Sequence, residues 1–535
     1  MLYATETFSP GEVEILERYF TNVDRPVFAL VNLPEVVKGA LFARYSRTHK
    51  SLRRLFLDEF ADDLDATGDG PDETTTGVGR AEQLYDKVFL EYGDDSVAQL
   101  GGVHLACEQA SNVLTKVLEW GRLMAYLEQS TRYIAYDGRL DGRYRYWRDP
   151  EVLDSKLGAR YVAAMDSLFD GYAAALPKVM DWARQTFPKE PGDSDFVWRQ
   201  TIKAKACDAV RGMLPAASLS NVGIYGTGQA YEALLLRMRA HPLPEVRRYA
   251  QMMLEELRLV IPSFLKRVDR PDRGGAWSTY IEERRDRTAA MTAHLLGDAE
   301  PEPRPSVTLV DYDPDGEDKV LAAILYSACD LPEDQLAARV RTLAPEERFA
   351  LLDAYVGERS NRRHKPGRAF ERTGYRFDVL ADYGAFRDLQ RHRMLTIEWQ
   401  PLSPRHGYEV PPPVAESGVT DLFEEAMATS ASLHEELAGQ FPLQAAYAVA
   451  LAYRIRFTMQ MNAREAMHVL ELRTSPQGHP AYRAVCLEMW RLIGDQAGHH
   501  GLAEAMRFVD TGDYELGRLG AERLAEARRS GTVHP

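Results

Sequence analysis

The sequence predicts a helix-rich α+β protein built from two related halves, and three observations support this fold class. Most long segments carry apolar residues at spacings of three and four, which is the period of an amphipathic helix. Strand signals are fewer: Tyr375–Leu380 alternates apolar with polar residues, and Ser306–Tyr312 is a shorter candidate. Basic motifs recur in the same order before and after a proline-rich acidic segment. We therefore expect an antiparallel sheet and long helices in each half.

Individual elements follow from local patterns. The helical period is clearest in four segments, which are Leu41–Phe60, Val103–Ala125, Lys156–Thr186 and Pro244–Lys266. The best linker candidate is Gly297–Lys319, which contains four prolines and many acidic residues. This linker, residues 297–319, separates an N-terminal domain of residues 1–296 from a C-terminal domain of residues 320–535.

The acidic balance of the chain limits its partners. Lys and Arg number 65 and Asp and Glu number 80 among 535 residues, so the formal net charge is −15. This charge argues against a protein that works on nucleic acid or on an anionic membrane. No apolar run approaches the roughly 20 residues that a membrane-spanning helix needs. We expect a soluble cytoplasmic protein without nucleic-acid or membrane partners.

Cysteine and histidine spacing offers no metal or disulfide framework. The four cysteines stand far apart in the sequence, so we expect buried thiols in a reducing cytoplasm. The 13 histidines include no HExxH pair, and adjacent His499 and His500 are poorly placed to ligate one ion from a helix. We predict that the protein holds no metal.

The basic motifs repeat in order along the chain. The N-terminal half contains Trp120-Gly121-Arg122, Glu128-Gln129-Ser130-Thr131-Arg132-Tyr133, Arg211 before Leu214-Pro215, and Arg237. The C-terminal half contains Arg391-His392-Arg393, Asn462-Ala463-Arg464, His468 and Arg473. Residue identity between the halves is low, but the shared order indicates an ancient duplication.

The C-terminal motifs offer charged and polar groups on two faces of one helix. Two guanidiniums separated by one residue, as in Arg391-His392-Arg393, suit phosphates, although such a triplet is also typical of a solvated helix end. Asn462 can cap the next helix, with Glu465 reaching back to it. Arg473 follows Asn462 by 11 residues, three turns and about 16 Å along one face. Arg464 and His468 share another face. A lone histidine there would more often be a packing residue.

The segment Glu128-Gln129-Ser130-Thr131-Arg132 predicts a phosphate-binding turn. It combines an acid, an amide, two hydroxyls and a guanidinium within five residues. Hydroxyl and amide groups beside an arginine bind phosphate oxygens well. The alternative is a polar turn that follows a helix.

Together these motifs resemble the flavin-dependent thymidylate synthases, the ThyX-type enzymes. That family carries Arg-His-Arg, then a Glu-x-Ser-x-Arg turn, and later Asn-x-Arg with a further arginine 11 residues after the asparagine. The matching residues are Arg391-His392-Arg393, Asn462-x-Arg464 with Arg473, Glu128-x-Ser130-x-Arg132 with Tyr133, and Arg211. The resemblance covers both halves and implies two fused ThyX-like domains.

The two copies depart from the family pattern in complementary ways. The N-terminal copy has Trp120-Gly121-Arg122 in place of Arg-His-Arg and Gly226-Thr227-Gly228 in place of Asn-x-Arg. The C-terminal copy reads Trp399-Gln400-Pro401-Leu402-Ser403 in place of the Glu-x-Ser-x-Arg turn. We therefore hypothesise one composite site that draws on both copies. In this hypothesis Arg132 and Arg473 are each essential for nucleotide binding, whereas Arg237 is dispensable.

The resemblance implies a reaction and a role for each residue. The family makes dTMP from dUMP, with methylenetetrahydrofolate as carbon donor and NADPH as the reductant of a bound FAD. By this resemblance dUMP would contact Glu128, Gln129, Ser130, Thr131, Arg132 and Arg211, and Arg473 would be catalytic beside the uracil ring. FAD would contact Arg391, His392, Arg393, Asn462, Arg464 and His468. A homodimer would be equivalent to the family's tetramer.

Two other functions remain open at the level of sequence. Because both copies depart from the family, the protein could bind flavin and nucleotide without catalysis. A helical nucleic-acid-binding protein is the third hypothesis, which the net charge of −15 opposes.

Overall fold

The computed structural model describes residues 6–24, 28–45, 50–61, 99–139, 141–297 and 299–529. The chain forms two compact units. The first unit comprises Met1–Cys107, Leu123–Leu127 and Val222–Ala299, and the second comprises Glu108–Arg122, Glu128–Asn221 and Glu300–Pro535. The two compact units therefore do not coincide with the two sequence halves that the linker separates. The domain boundaries at residues 1–296, 297–319 and 320–535 refer to the duplication and stay a prediction.

Helices make up most of both units. In chain order they are α1 (Pro10–Tyr19), α2 (Glu35–Tyr45), α3 (Leu52–Glu59), α4 (Asn112–Leu118), α5 (Pro150–Leu153), α6 (Gly158–Thr186), α7 (Asp195–Val210), α8 (Gly228–Arg239), α9 (Pro244–Val260) and α10 (Ala276–Leu296). They continue with α11 (Gly316–Tyr326), α12 (Glu333–Val340), α13 (Pro345–Val356), α14 (Tyr383–Gln390), α15 (Pro412–Glu416), α16 (Thr420–Ala438), α17 (Ala463–Arg473), α18 (Pro480–Asp495), α19 (His500–Ala505) and α20 (Leu519–Arg529). Among the described residues, no helix is long and apolar enough to span a bilayer.

Two antiparallel sheets complete the fold. The first has the order β1–β3–β2 and contains β1 (Gly102–Ser111), β2 (Met124–Glu128) and β3 (Leu219–Thr227). The second has the order β4–β5–β7–β6 and contains β4 (Val307–Tyr312), β5 (Gly374–Asp382), β6 (Thr396–Trp399) and β7 (Arg454–Asn462). The strand order β5–β7–β6 repeats the order β1–β3–β2, as a duplication predicts.

Four strands run directly into helices through the same kind of cap. The residue at each junction accepts a hydrogen bond from the backbone N–H three residues later, which satisfies a helix end. These caps are Ser111 before α4, Thr227 before α8, Asp382 before α14 and Asn462 before α17. Such a cap stabilises a helix by about 0.5–2 kcal/mol. It also fixes where each helix starts relative to its strand, so the helix side chains are placed by the sheet.

The core of the second unit is built around the long helix α6. Its buried face carries large apolar side chains at helical spacing, including Tyr161, Leu168, Phe169, Tyr172 and Val179. Burying each of these groups contributes about 1.5–3 kcal/mol. The first unit has a comparable stripe on α9, where Val246, Ala250, Met253 and Leu257 are buried.

The predicted fold class is confirmed, with errors in individual elements. The helical prediction for Lys156–Thr186 matches α6, and that for Pro244–Lys266 matches α9 followed by the 3₁₀ turn Pro262–Leu265. Both predicted strands are present, as β5 and β4. The segment Leu41–Phe60 contains parts of α2 and α3, and residues 46–49 lie outside the described residues.

The helix predicted over Val103–Ala125 is wrong. This segment forms β1 and the short helix α4, and β2 begins at Met124. The apolar residues of Val103–Ala110 fit either period, and pairing with β3 decides the outcome because strand formation depends on tertiary partners. The prediction of four buried thiols is also wrong in part: Cys329 is exposed, while Cys107, Cys207 and Cys486 are buried.

Candidate functional site

All the predicted site residues belong to the second compact unit. They come from both sequence halves, and they are Glu128, Gln129, Ser130, Thr131, Arg132, Arg211, Arg391, His392, Arg393, Asn462, Arg464, His468 and Arg473. Arg237 lies on α8 in the first unit. The structure therefore brings together the residues that the composite-site hypothesis selects. Their roles stay predictions.

Glu128 ends β2 inside a buried ion network. Its Oε1 accepts a hydrogen bond of 2.6 Å from Arg387, and its Oε2 lies 3.4 Å from the Lys116 ammonium and 4.0 Å from Arg391. Burial alone would raise the pKa of Glu128, but these cations outweigh it and lower the pKa to about 2. Glu128 is thus ionised and paired with Arg387 of α14.

The turn after β2 is fixed by hydrogen bonds to β3 and by a hydrogen bond within the turn. The Gln129 N–H donates to the Asn221 carbonyl at 2.9 Å, and the Ser220 hydroxyl donates to the Gln129 carbonyl at 3.3 Å. Ser130 accepts a hydrogen bond of 3.2 Å at Oγ from the backbone N–H of Arg132, and Thr131 is buried. The turn therefore holds Arg132 in a defined orientation.

Arg132 forms a bidentate ion pair with Asp208. Its Nε and Nη2 donate to the two carboxylate oxygens at 2.9 and 2.8 Å, and its Nη1 donates to the Tyr482 hydroxyl at 2.7 Å. Burial alone would raise the pKa of Asp208, but Arg132 lowers it to about 2, with a smaller effect of Arg518. A parallel pair of this kind fixes the guanidinium plane.

Three further arginines converge on Asp388, which lies on α14. The Asp388 carboxylate accepts a hydrogen bond from Arg391, and its oxygens lie 3.4 Å from Arg211 Nη1 and 3.8 Å from Arg473 Nη1. Burial would raise the pKa of Asp388, but Arg391, Arg211, Arg473 and Arg132, in falling order, hold it well below the usual range. One carboxylate thus offsets charge from both sequence halves.

Arg211 retains an unused hydrogen-bond donor in this cluster. The side chain is 4% exposed, and its Nη2 makes no hydrogen bond to any described residue. The Asp382 carboxylate lies 4.0 Å from this nitrogen. A buried donor without a partner costs about 1–3 kcal/mol, and an oxygen that accepted a hydrogen bond from this atom would remove that cost.

Arg473 connects the cluster to His392. Its Nε donates to His392 Nε2 at 2.8 Å, and its Nη2 donates to the Asp388 carbonyl at 2.5 Å. Because His392 accepts at Nε2, we assign its ring proton to Nδ1. Burial and the nearby Arg473 lower the pKa of His392, so the ring is neutral.

His392, Glu465 and His468 could in principle form a metal centre. One potential ligand atom from each residue lies within 4.8 Å of the others. However, His392 Nδ1 faces Glu465 at 3.8 Å, and this is the nitrogen to which we assign the proton. A protonated ring nitrogen cannot ligate an ion. The geometry therefore favours a hydrogen-bonding cluster over a cation site.

The remaining predicted residues are Arg393, Asn462, Arg464 and His468, and the two arginines add positive charge near Glu465. Asn462 caps α17, and Arg464 donates from Nε to the Pro366 carbonyl at 3.0 Å and lies 3.5 Å from Glu371. Arg393 is exposed. Burial and the charges of Lys365 and Arg362 lower the pKa of His468 to about 4. This basic cluster lies next to His392.

Glu465 makes stability depend on pH. Burial raises its pKa from 4.5 to about 7, against the opposing charges of Lys365, Arg464 and Arg393. Between pH 4.5 and 7 the folded state binds more protons than the unfolded state, because the pKa of Glu465 is raised on folding. The free energy of unfolding therefore falls as the pH rises through this range. We expect the free energy of unfolding of the wild type, relative to Glu465→Gln, to fall by about 1–3 kcal/mol between pH 4.5 and 7.5.

Urea unfolding at a series of pH values measures this difference. The comparison with Glu465→Gln removes the opposing titration of His392 and His468, because both variants retain those rings. Glu435→Gln on the exposed face of α16 is the matched control, and it should follow the wild type at every pH. A constant difference between wild type and Glu465→Gln would contradict the raised pKa.

Sequence reasoning missed the acids and the buried partners that organise the site. These residues are Lys116, Asp208, Arg387, Asp388, Tyr482 and Arg518. One signal was present: Asp208 precedes Arg211 by three residues and Asp388 precedes Arg391 by three residues. An acid one helical turn before a basic residue is common on surfaces, so the spacing alone did not single them out.

Comparison with known families agrees with the motifs. The family model described as thymidylate synthase complementing protein matches residues 40–263 and 308–497, one segment in each half of the chain. The chain belongs to this family. The resemblance to ThyX-type proteins is thereby confirmed, and the two matched segments agree with a divergent two-part member of the family.

Relatives of similar length exist in bacteria and archaea. A protein described as UPF0159 from Chlamydia pneumoniae is 38% identical over 98% of this chain and 99% of its own length. One from Chlamydia muridarum is 37% identical over 98% of this chain and 100% of its own length. One from Thermoplasma acidophilum is 32% identical over 92% of this chain and 99% of its own length. All three relatives thus match this chain over nearly their full length.

Proposed function

We propose that the protein is a flavin-dependent thymidylate synthase. It would methylate dUMP to dTMP, with methylenetetrahydrofolate as carbon donor and NADPH as reductant. The observation that carries this proposal is the convergence of Arg211, Arg391 and Arg473 on one carboxylate, with Arg211 Nη2 unpaired among the described residues. Membership of the family supports the same chemistry. The proposal includes a cytoplasmic homodimer, as the resemblance implies.

The nucleotide would bind where the turn after β2 meets the arginine cluster. Ser130 and Arg211 offer a hydroxyl and an unused N–H for phosphate oxygens. Asp208 holds Arg132 beside them in a fixed plane. Arg473 would lie against the uracil ring, where a fixed guanidinium stabilises negative charge that develops on the base. The neutral His392 supports Arg473 by accepting its Nε–H.

The basic cluster next to His392 fits a flavin dinucleotide. A pyrophosphate needs cationic donors, and the charges of Lys365, Arg464 and Arg393 act on Glu465 while those of Lys365 and Arg362 act on His468. The Asn462 side chain uses its oxygen for the helix cap, which leaves its amide N–H groups to donate. FAD bound there would supply hydride chemistry, for which the chain itself has no suitable group.

A visible absorption spectrum tests this proposal. Purified protein reconstituted with FAD should show bound-flavin bands, and titration with dUMP should shift them because both ligands would share one site. NADPH should then bleach the flavin, and dTMP should form when methylenetetrahydrofolate is added. Absence of bound flavin after reconstitution, or flavin bands that dUMP does not change, would contradict a shared site.

A second candidate function is flavin and nucleotide binding without catalysis. The observation in its favour is that Asp208 and Asp388 already pair with the arginines that a nucleotide would need. Binding of FAD and dUMP with no dTMP formed in the presence of both co-substrates would select this function.

A further inference from the structure

Asp388 occupies an unusual position for an acidic side chain. It is 7% exposed and lies on α14, one turn before Arg391. Its carboxylate is shared by the guanidiniums of Arg211, Arg391 and Arg473, which come from three separate segments of the chain. Each of these arginines belongs to a motif assigned to nucleotide or flavin. The Asp388 carboxylate therefore occupies the point where the three arginines, which an anionic ligand would need, come together.

The contacts of Asp388 neutralise charge but leave part of the donor set unsatisfied: Arg211 Nη2 and Arg391 Nε have no hydrogen-bond partner among the described residues. Only the Arg391 pair is short, whereas the separations from Arg211 and Arg473 are 3.4 and 3.8 Å. Good N–H···O hydrogen bonds measure about 2.7–3.2 Å. The Arg211 Nη2 has no hydrogen-bond partner among the described residues. In contrast, Asp208 satisfies Arg132 with two parallel bonds of 2.9 and 2.8 Å.

A phosphate group would complete what Asp388 leaves unsatisfied. Its terminal oxygens can accept from the unused Arg211 Nη2 and from further donors at the same time, which the Asp388 carboxylate does not do at these distances. The same phosphate would carry negative charge next to the Asp388 carboxylate, and such like-charge contacts are unfavourable. The arginine cluster thus combines unused donors on Arg211 and Arg391 with a repelling anion.

We propose that Asp388 is an internal counter-anion that sets the affinity of this arginine cluster for phosphate monoesters. Without ligand it keeps three mutually repelling arginines together, and with ligand it weakens the hold on the phosphate. A free phosphate is thereby disfavoured, and a ligand must gain affinity through its other parts. The inference rests on the proposed function, because it takes that ligand to be a nucleoside monophosphate.

The test compares phosphate binding by the wild-type full-length protein and by Asp388→Asn. The amide keeps the shape of the side chain and one acceptor but removes the charge. Isothermal titration with inorganic phosphate should show affinity at least about tenfold higher in the variant, equivalent to about 1.4 kcal/mol. Unchanged or weaker phosphate binding in Asp388→Asn would overturn the proposal.

Asp378→Asn provides the matched control. Asp378 on β5 also pairs with an arginine, through a 2.6 Å contact with Arg456, which is not one of the predicted site residues. Its loss should leave phosphate affinity unchanged. If Asp388→Asn folds poorly, the melting temperature gives a second readout: added phosphate should raise it more in this variant than in the wild type or in Asp378→Asn. Failure of phosphate to rescue stability would count against the counter-anion.

The same experiments separate this inference from the proposed function. If Asp388→Asn binds phosphate more tightly but the wild type forms no dTMP, the counter-anion role of Asp388 is supported and the proposed synthase activity is contradicted. If the wild type forms dTMP but Asp388→Asn has unchanged phosphate affinity, the proposed synthase activity is supported and the counter-anion role of Asp388 is contradicted.

Discussion

Substitution of Arg473 by alanine should abolish dUMP binding, and substitution by lysine should reduce dTMP formation by at least about 100-fold. Arg473 donates from Nε to His392 and from Nη2 to the Asp388 carbonyl, and its guanidinium lies 5.4 Å from the centre of the Tyr482 ring. A lysine keeps the charge but loses the planar fork that makes two bonds in fixed directions. Steady-state turnover and dUMP titration of the flavin spectrum measure both effects.

Two further arginines turn this result into a test of the composite site. Arg132→Ala should also abolish dUMP binding, because the Arg132 and Arg473 guanidiniums lie 5.5 and 5.4 Å from the centre of the same Tyr482 ring although they come from different copies. Arg237→Ala should leave dUMP binding close to that of the wild type, since Arg237 belongs to the other compact unit. Equal loss in all three variants, or near wild-type turnover in Arg473→Lys, would contradict the assigned roles.

Removal of Arg359 should lower the free energy of unfolding by about 3–5 kcal/mol. The Arg359 and Glu471 side chains are 1% and 2% exposed, and the guanidinium donates to both carboxylate oxygens at 2.6 and 2.5 Å. Arg359 also donates to the Ala505 carbonyl at 2.9 Å. Arg359→Ala leaves the Glu471 charge buried without its partner, which costs far more than the loss of an exposed pair. Urea unfolding measures the change.

A double variant distinguishes the cost of an unpaired charge from the value of the pair. Arg359→Met combined with Glu471→Leu should recover much of the stability, because apolar groups of similar size replace the pair. Arg376→Ala, which breaks an exposed pair with Asp311, should have a much smaller effect. Loss in the double variant as large as in Arg359→Ala would show that the ion pair itself stabilises this region.

The fold was predictable where local pattern and tertiary environment agree. The buried stripe of α6 has one period only, and β5 alternates along its length, so both were identified from sequence. The segment Val103–Ala110 lacks such a distinctive period, and its pairing with β3 makes it a strand. Pairing partners more than 100 residues away leave no trace in a local window, which explains the wrong helix prediction.

The site was predictable only as far as its motifs extend. Spacing identified Arg132, Arg211 and Arg473 as candidates. The structure places Arg211 and Arg473 at Asp388 and Arg132 at Asp208, and both Arg132 and Arg473 lie over the Tyr482 ring. The acids Asp208 and Asp388 determine how these arginines are arranged, yet each is a single residue without a motif. Their positions depend on the packing of distant segments, which composition and periodicity do not reveal.

The placement of the predicted site within one compact unit has a genetic consequence. In an oligomer whose sites are shared between identical subunits, two inactive mutants can complement each other, since mixed assembly restores some intact sites. Here Arg132 and Arg473 are on the same polypeptide and in the same unit. Two alleles, each lacking one of these arginines, would have no intact combination to assemble, so a diploid test strain that carries both would remain a thymidine auxotroph.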